Sequence, residues 1–137
     1  MSNTPYRYTN LFSVKYQLEH ERKPFTREAI RGLPKERCGL YALWLPTGTE
    51  NAPDTLYVGQ ATTCVRRRLL QHLSDEANPE LRRQLRMFRD LVQFSVAFTE
   101  GKQETLELET LVIREWEPET NVYKLNPPKN LRDTESE

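Results

Sequence analysis

The sequence predicts an α+β fold in which a small three-stranded antiparallel sheet is flanked by helices. Two short apolar runs, 40–45 and 56–58, contain the aromatic and β-branched residues typical of strands, and turn-forming residues separate them. Further along, helical stripes and one alternating run, 91–98, complete the order β-β-α-α-β-α. Helices that pack on an antiparallel sheet define the α+β class.

Length and composition indicate a single main domain. The chain has 137 residues, of which 36% are hydrophobic and 29% charged, as in an ordinary soluble globular protein. No apolar run approaches the roughly eighteen residues that a membrane helix needs, and the polar N-terminus does not resemble a signal peptide. Cys38 and Cys64 are too few for a disulfide scaffold. We therefore expect a cytoplasmic protein with an N-terminal extension over 1–33, a main domain over 34–125 and a tail over 126–137.

The N-terminal extension contains two weaker signals. Residues 1–10 are expected to be loose, and 11–18 alternates in part and is predicted as an additional strand. A short helix is predicted between Thr26 and Gly32, because threonine is a favoured N-cap and glycine often ends a helix. Pro34 also favours a helix end at this position, because proline shortly after a helix stops it from continuing.

The segment 46–54 consists almost wholly of turn-forming residues, so the strands on either side of it are expected to form an antiparallel hairpin. A helix is then predicted over 65–73. Four of its residues recur at i, i+4, i+7 and i+8 and form one inward-facing stripe. They are Val65, Leu69, His72 and Leu73.

Two further helices follow. Asn78 and Pro79 supply the N-cap and first-turn chemistry of a helix whose inner side is apolar and whose outer side carries arginines. The run 91–98 alternates as a strand does. A third helix is predicted from about 103 to 116, and Pro118 ends it.

Charge is balanced overall but unevenly distributed. The formal net charge is zero, yet 65–90 contains seven arginines against four acidic residues, and 100–119 contains seven glutamates against two basic residues. A small enzyme that binds a phosphate backbone through one face has such an uneven distribution of charge. A protein whose charges cluster by chance has it as well.

Five sequence elements resemble those of the GIY-YIG nuclease superfamily. Two are tyrosine-bearing triplets on the predicted hairpin, Gly39-Leu40-Tyr41 and Tyr57-Val58-Gly59. The other three are Val65-x-x-Arg68-x-x-x-His72, Glu109-x-x-Val112-Ile113 and Pro118-x-x-Asn121. The resemblance covers about residues 33–123. A single triplet recurs by chance, whereas five elements in the family's order are specific.

The resemblance implies an active site built from residues that are far apart in the sequence. Tyr41 and Tyr57 would line it, and Tyr41 would orient or activate a water molecule. Arg68 would hold the scissile phosphate. His72 would hydrogen-bond a tyrosine or the phosphate, or shuttle a proton, although a histidine beside an apolar face is also commonly structural. Glu109 would bind one Mg²⁺ or Mn²⁺ ion.

Glu109 is also singled out by its place on the third helix. Its neighbours at i−3, i+3 and i+4 are Leu106, Val112 and Ile113, so the carboxylate lies on an apolar stripe. Burial there is costly without a partner or a cation, and one carboxylate with water molecules suits Mg²⁺. An ion pair with an arginine of the 65–73 helix is the alternative. Glu107 is the alternative metal ligand if the helix is rotated.

Other roles stay open on the sequence alone. Tyr41 and Tyr57 are also ordinary strand aromatics. Arg67 competes with Arg68, because the preceding loop is one residue longer than the family pattern. We also expect the Arg68 cation to lower the pKa of Tyr41 from its usual value of about 10. Asn121 supports the site in the family, but asparagine is common in turns after a helix.

The resemblance implies a DNA endonuclease that uses one divalent cation and leaves 5′-phosphate and 3′-hydroxyl ends. Arginines of the 65–73 helix and of the helix that starts at Asn78 and Pro79 would contact the DNA backbone: Arg66, Arg67, Arg82, Arg83 and Arg86. One site cuts one strand, so double-strand cleavage needs a homodimer or two successive events. The N-terminal extension could pack on the core, contact DNA or join a dimer. The alternatives are a catalytically idle DNA-binding or partner-binding module, and an RNA-directed nuclease.

Overall fold

The computed structural model describes residues 4–49, 52–74, 76 and 78–118. Within them the chain forms five α-helices and four β-strands. In chain order these are α1 (Thr4–His20), β1 (Lys23–Pro24), α2 (Arg27–Arg31), β2 (Gly39–Thr49), β3 (Ala52–Ala61), α3 (Val65–Ser74), α4 (Pro79–Phe88), β4 (Gln93–Phe98) and α5 (Lys102–Trp116), with a short 3-10 turn (Arg89–Leu91) before β4. The predicted tail, 126–137, lies outside the described residues.

The four strands form one antiparallel sheet in the order β1-β4-β2-β3. The predicted α+β class is confirmed, but the sheet has four strands where the sequence predicts three. The additional strand, β1, has two residues and pairs with the outer side of β4. Two residues cannot carry an alternating pattern, and Pro24 is tolerated there because β1 is an edge strand.

The predicted hairpin is confirmed as β2 and β3, and the two strands extend further into the segment 46–54 than its turn-forming residues indicate. Leu45 pairs with Asp54, and Thr49 pairs with Ala52 after a shift in register. β4 pairs with β2 only as far as Trp44, so the later part of β2 is hydrogen-bonded on one side. Proline is tolerated on such a one-sided stretch, which contains Pro46.

The N-terminal extension differs most from its prediction. The strand predicted over 11–18 is wrong, and residues 4–10 are not loose, because both segments belong to the helix α1. Val14 and Leu18 are one helical turn apart, and both are buried against the sheet and α5. An ion pair between Lys15 and Glu115 also joins α1 to α5. Burial of this face, which depends on a distant part of the chain, outweighs the partial alternation.

The remaining helices follow their sequence signals closely. Thr26 caps α2 by accepting a hydrogen bond from the backbone N–H of Ala29 at 3.2 Å. Asn78 caps α4 by accepting from two backbone N–H groups. Helix α5 ends at Trp116, and its C-cap Glu117, directly before the predicted proline, has a left-handed φ of 47°. Among the described helices, none has the length and apolar character that a membrane span requires.

β2 is covered on both faces, because its alternate side chains enter two different hydrophobic clusters. Leu40, Ala42 and Trp44 pack in the cluster that contains residues of α1 and α5. Tyr41 and Leu43 pack in the cluster that contains residues of α2, α3 and α4. This arrangement explains why the run 40–45 is continuously apolar, and it places Tyr41 against α3.

Two glycines make room for neighbours in the sheet. A Cβ atom added to Gly59 would lie 2.5 Å from Cζ of Tyr41 and 2.8 Å from Cε2 of Tyr57. A Cβ atom added to Gly39 would lie 2.5 Å from the carbonyl oxygen of Ala97 on β4. The ring of Tyr41 therefore lies directly over its cross-strand partner, and only glycine leaves space for it.

The substitution Gly59→Ala tests this packing. We expect it to lower the free energy of unfolding by about 1–3 kcal/mol, because the buried ring of Tyr41 cannot move aside without displacing its neighbours. Urea unfolding followed by circular dichroism measures the change. Gly32→Ala is the control, since Gly32 is exposed with a φ of −75° that alanine also adopts and a Cβ atom there would lie 3.4 Å from the carbonyl oxygen of Ala29, and it should change stability by less than about 0.5 kcal/mol. Equal effects of the two substitutions would contradict the close packing of Tyr41 on Gly59.

Candidate active site

A buried hydrogen-bonded chain connects the sheet to α3. The hydroxyl of Tyr41 lies 2.5 Å from Nε2 of His72, and Nδ1 of the same ring contacts Oε1 of Glu76. The second oxygen of Glu76 accepts a hydrogen bond of 2.8 Å from the backbone N–H of Asn78. Tyr41 and His72 are both buried. His72 reaches this position because it continues the inward stripe of Val65 and Leu69 on α3.

The protonation of this chain follows from its partners. Burial opposes the charge on Glu76, but hydrogen bonds from His72 and from the backbone of Asn78 outweigh burial and hold the pKa of Glu76 below its usual value. A carboxylate only accepts hydrogen bonds, so Nδ1 of His72 carries the proton that faces Glu76. When the imidazole is neutral, Nε2 is then an acceptor, and Tyr41 donates its hydroxyl proton to it.

Burial also decides the state of Tyr41. It raises the pKa of the phenol well above the usual value, because a buried phenolate loses its hydration. Arg68 acts in the opposite direction through its charge and a hydrogen bond, while the charges of Glu76 and Glu109 add to the rise. Arg68 therefore lowers this pKa as expected, but burial outweighs its effect and the net pKa is raised. Tyr41 is un-ionised at neutral pH.

Tyr57 completes an aromatic cluster with Tyr41 and His72. The ring centroid of Tyr57 lies 6.2 Å from that of Tyr41 and 5.3 Å from that of His72, and the centroids of Tyr41 and His72 are also 5.3 Å apart. Tyr57 is 4% exposed. The three rings meet because β2 and β3 bring both tyrosines to the face of the sheet on which α3 packs.

Arg68 lies beside this cluster. Its guanidinium interacts with Tyr41, Tyr57 and Glu76, and the tyrosines and Glu76 together raise its pKa against the opposing effect of burial. One of its nitrogens also donates to the side-chain oxygen of Gln71 at 3.1 Å. Arg67 instead acts on the thiol of Cys64, whose pKa lies below its usual value: burial opposes that lowering, and backbone N–H groups and the Arg67 charge outweigh burial. The geometry thus favours Arg68 over Arg67 as the arginine of the site.

Glu109 faces inward from α5. It is 6% exposed, and it lies on a buried stripe with Thr105, Leu108, Val112 and Ile113. Its charge is close enough to raise the pKa of Tyr41. The predicted stripe neighbour Leu106 is 37% exposed, so the inner face is centred nearer Leu108 than the sequence indicates.

The alternative carboxylate, Glu107, lies toward the outside of the same helix. It is partly exposed and accepts a hydrogen bond of 3.1 Å from Gln103 one turn earlier. Glu109 is the more deeply buried of the two, and its charge acts on Tyr41. The helix is therefore oriented as the first interpretation of the sequence requires, with Glu109 rather than Glu107 inside.

The chemistry of these residues fits a magnesium ion that keeps most of its water. In the described part of the chain, no group of three or more histidine, cysteine or acidic side chains is arranged to hold a metal. Mg²⁺ does not need such a group, because it commonly binds to one or two carboxylates and retains water ligands. A single buried carboxylate, Glu109, whose charge acts on the phenol of Tyr41, meets that requirement.

Glu76 was not identified from the sequence. It stands four residues after His72, which is the spacing of neighbours on one helical face. The spacing could have found it, but α3 ends at Ser74, and an acidic residue just beyond a helix is usually a solvated loop residue. Its oxygens are held by His72 and Asn78, which fixes it in the site.

The other predicted residues lie on α3 and α4, or outside the described residues. Arg66 is partly buried, and among the described residues its Nε atom has no hydrogen-bond partner. Arg82, Arg83 and Arg86 are exposed on α4. Asn121 lies outside the described residues, so its predicted supporting role stays a prediction.

Comparison with known proteins identifies a family that this chain matches. The family model of the UvrC-like GIY-YIG domain matches residues 39–122. The GIY-YIG N-terminal endonuclease domain of UvrC from Thermotoga maritima, bound to its catalytic divalent cation magnesium, aligns with a TM-score of 0.52 and 20% identity over 70% of this chain and 99% of that chain. A tyrosine-to-phenylalanine point mutant of that domain, also bound to its catalytic divalent cation, aligns with a TM-score of 0.51 and 21% identity over 70% and 98%. A search of curated protein sequences gives no match.

The pKa of Glu76 predicts how its contribution to stability depends on pH. Because the folded-state pKa lies below the unfolded value, ionised Glu76 stabilises the fold at pH above the unfolded value, and this contribution is lost as pH falls through the folded pKa. We expect Glu76→Gln to lower the free energy of unfolding by about 1.5–3 kcal/mol at neutral pH. The difference from the wild type should shrink below about pH 4.

Urea unfolding at several pH values measures this difference. Glu19→Gln is the matched control, because Glu19 is an exposed carboxylate on α1, and it should change stability by less than about 0.5 kcal/mol at every pH. A difference between Glu76→Gln and the wild type that stays constant from neutral to acid pH would show that the charge of Glu76 is not what stabilises the fold.

Proposed function

The chain belongs to the UvrC-like GIY-YIG domain family, and we propose on this basis that it is a metal-dependent endonuclease that hydrolyses phosphodiester bonds in DNA. The observation that carries the proposal is the buried chain from Tyr41 through His72 to Glu76, next to Arg68 and Glu109. A hydroxyl that is hydrogen-bonded to an imidazole, which in turn is oriented by a carboxylate, is an arrangement for moving a proton.

The un-ionised state of Tyr41 determines the direction of proton transfer. A phenol with a raised pKa cannot act as a base by itself at neutral pH. We infer that Tyr41 gives its hydroxyl proton to Nε2 of His72 while its oxygen takes a proton from the attacking water. The carboxylate of Glu76, which faces Nδ1–H, stabilises the positive charge that the imidazole gains. The Arg68 cation stabilises the negative charge on the Tyr41 oxygen during this exchange.

Hydrolysis then proceeds by attack of the water oxygen on phosphorus and breakage of the bond to the 3′ oxygen, which takes up a proton from solvent. His72 releases the proton that it gained to solvent, which restores the resting chain. The products are a 5′-phosphate and a 3′-hydroxyl. Arg68, whose planar donor fork suits phosphate oxygens, stabilises the charge that develops on them. A bound Mg²⁺ or Mn²⁺ ion held by Glu109 would supply further positive charge at the phosphate and the leaving oxygen.

Basic residues near the site support nucleic acid as the substrate. Arg66 and Arg67 are on α3, and Arg82, Arg83 and Arg86 are on α4, so both helices next to the aromatic cluster carry cations suited to a phosphate backbone. Cleavage of both strands of a duplex would need a second protomer or a second binding event, because the chain has one such site among its described residues.

A plasmid-nicking assay with Mg²⁺ or Mn²⁺ tests the proposed activity. We expect Glu109→Gln to reduce the nicking rate by at least about 100-fold, since the variant removes the charge that would hold the cation. Glu107→Gln is the control on the same helix and should nick within about 3-fold of the wild type. Equal rates for Glu109→Gln and the wild type would remove Glu109 from the mechanism. If the wild type cleaved labelled RNA but did not nick plasmid, RNA would be identified as the substrate. If the protein cleaved neither plasmid nor RNA, the result would favour the catalytically idle binding module.

The proton path is tested by Tyr41→Phe, which keeps the ring and removes the hydroxyl. We expect kcat to fall by about 100-fold or more, while the Kd for DNA, measured without metal, changes by less than about 3-fold. Tyr16→Phe is the matched control, because Tyr16 is exposed on α1, and it should leave both quantities unchanged. An unaltered kcat in Tyr41→Phe would exclude the hydroxyl from the reaction, whereas a loss confined to Kd would make it a binding group.

A further inference from the structure

A cleft of about 430 Å³ opens beside the proposed catalytic chain. His72 and Glu76 line one side of it, so the cleft is continuous with the site at which the phosphodiester bond would be cut. Its other walls come from α4 and from the 3-10 turn that follows. The volume lies within the range of about 300–1,000 Å³ that is usual for small-molecule sites.

One wall of the cleft is cationic. Arg82 and Arg86 line it one turn apart on α4, and Arg89 lines it from the 3-10 turn that follows. Across the described residues, none of the three guanidinium groups takes part in an ion pair or a side-chain hydrogen bond. Their neighbour Arg83 differs, because it does not line the cleft and pairs with Glu80 at 2.5 Å.

Two carboxylates also line the cleft but leave it basic. Glu76 is committed to His72 and to the backbone N–H of Asn78. Asp90 is exposed. Three arginines against these two acids give a net positive wall, which favours an anion such as phosphate.

The lining of the cleft also includes the apolar side chains of Phe25, Leu73 and Leu85. The ring of Phe25 makes an edge-on contact with Phe94, whose ring centroid lies 6.2 Å away. A phosphate group alone needs only the arginines. Apolar side chains in the same cleft as these arginines suit a ligand that carries a flat ring as well as an anion, and a nucleotide, whose base packs through its ring faces, is such a ligand.

We propose that this cleft receives one unpaired nucleotide of the substrate strand next to the scissile phosphate. Its phosphate contacts the arginine wall, and its base packs against Phe25, Leu73 and Leu85. A base within a duplex is stacked and paired and cannot enter, so substrates in which the nucleotide is already unpaired avoid the cost of extruding it. The inference rests on the proposed nuclease function for the position of the scissile phosphate, and it adds the substrate class, DNA with an unpaired nucleotide.

Binding without metal tests the cleft apart from catalysis. The probes are two fluorescently labelled duplexes of the same sequence, one fully paired and one with a single extra unpaired nucleotide, in buffer containing a chelator. We expect the wild-type protein to bind the second duplex about 10-fold more tightly, as measured by fluorescence anisotropy. The double variant Arg82→Gln/Arg86→Gln should lose this preference.

Arg83→Gln is the matched control. It removes a cation from the same helix, so it should weaken binding to both duplexes alike and keep the 10-fold ratio. Equal affinity of the wild type for the two duplexes, or an unchanged ratio in the double variant, would overturn the inference.

Nicking of the same two duplexes with Mg²⁺ separates the two proposals. Nicking of both duplexes at equal rates would contradict the proposed nucleotide-binding role of the cleft, while the proposed nuclease activity would stand. A preference in binding that is lost in the double variant, together with no nicking of either duplex, would contradict the nuclease while leaving the nucleotide site in place.

Discussion

The hydrogen-bonded chain from Tyr41 through His72 to Glu76 is the interaction on which the rest of the site depends. It joins β2, one of the two inner strands of the sheet, to α3, and through Glu76 it also holds the backbone of Asn78, which caps α4. Tyr41 can occupy its place in this chain because Gly59 leaves space for the tyrosine ring. The position of α4, and with it the arginine wall of the adjoining cleft, is therefore fixed by the same contacts that would move a proton.

Burial and charge compete at Tyr41, and burial decides the outcome. A guanidinium beside a phenol favours the phenolate, but the loss of hydration in a fully buried position is larger, and two nearby carboxylates add to it. An un-ionised Tyr41 makes His72 essential to the proposed reaction, since the proton must pass to the imidazole before the tyrosine oxygen can accept another. Arg68 then serves the reaction by stabilising charge as it develops rather than by ionising the resting enzyme.

Much of this arrangement could be predicted from the sequence, because its signals are local. The hairpin strands are apolar and aromatic, the caps Thr26 and Asn78 stand at helix starts, and His72 lies on the stripe of α3. The failures involve interactions between distant parts of the chain. Helix α1 forms because its apolar face is buried against the sheet and α5, and β1 is defined only by its pairing with β4. Glu76 is part of the site only because α3 ends where a loop carboxylate can turn back to His72.

The protonation pattern of His72 tests the central claim most directly. The chain has two histidines, so the variant His20→Gln leaves His72 as the single imidazole that ¹⁵N NMR detects. With the ring neutral, the account predicts a protonated Nδ1 and an unprotonated Nε2, because Glu76 accepts from the first and Tyr41 donates to the second. Protonation at Nε2 instead, or the average of both tautomers that a solvent-exposed imidazole gives, would contradict the hydrogen-bonded chain.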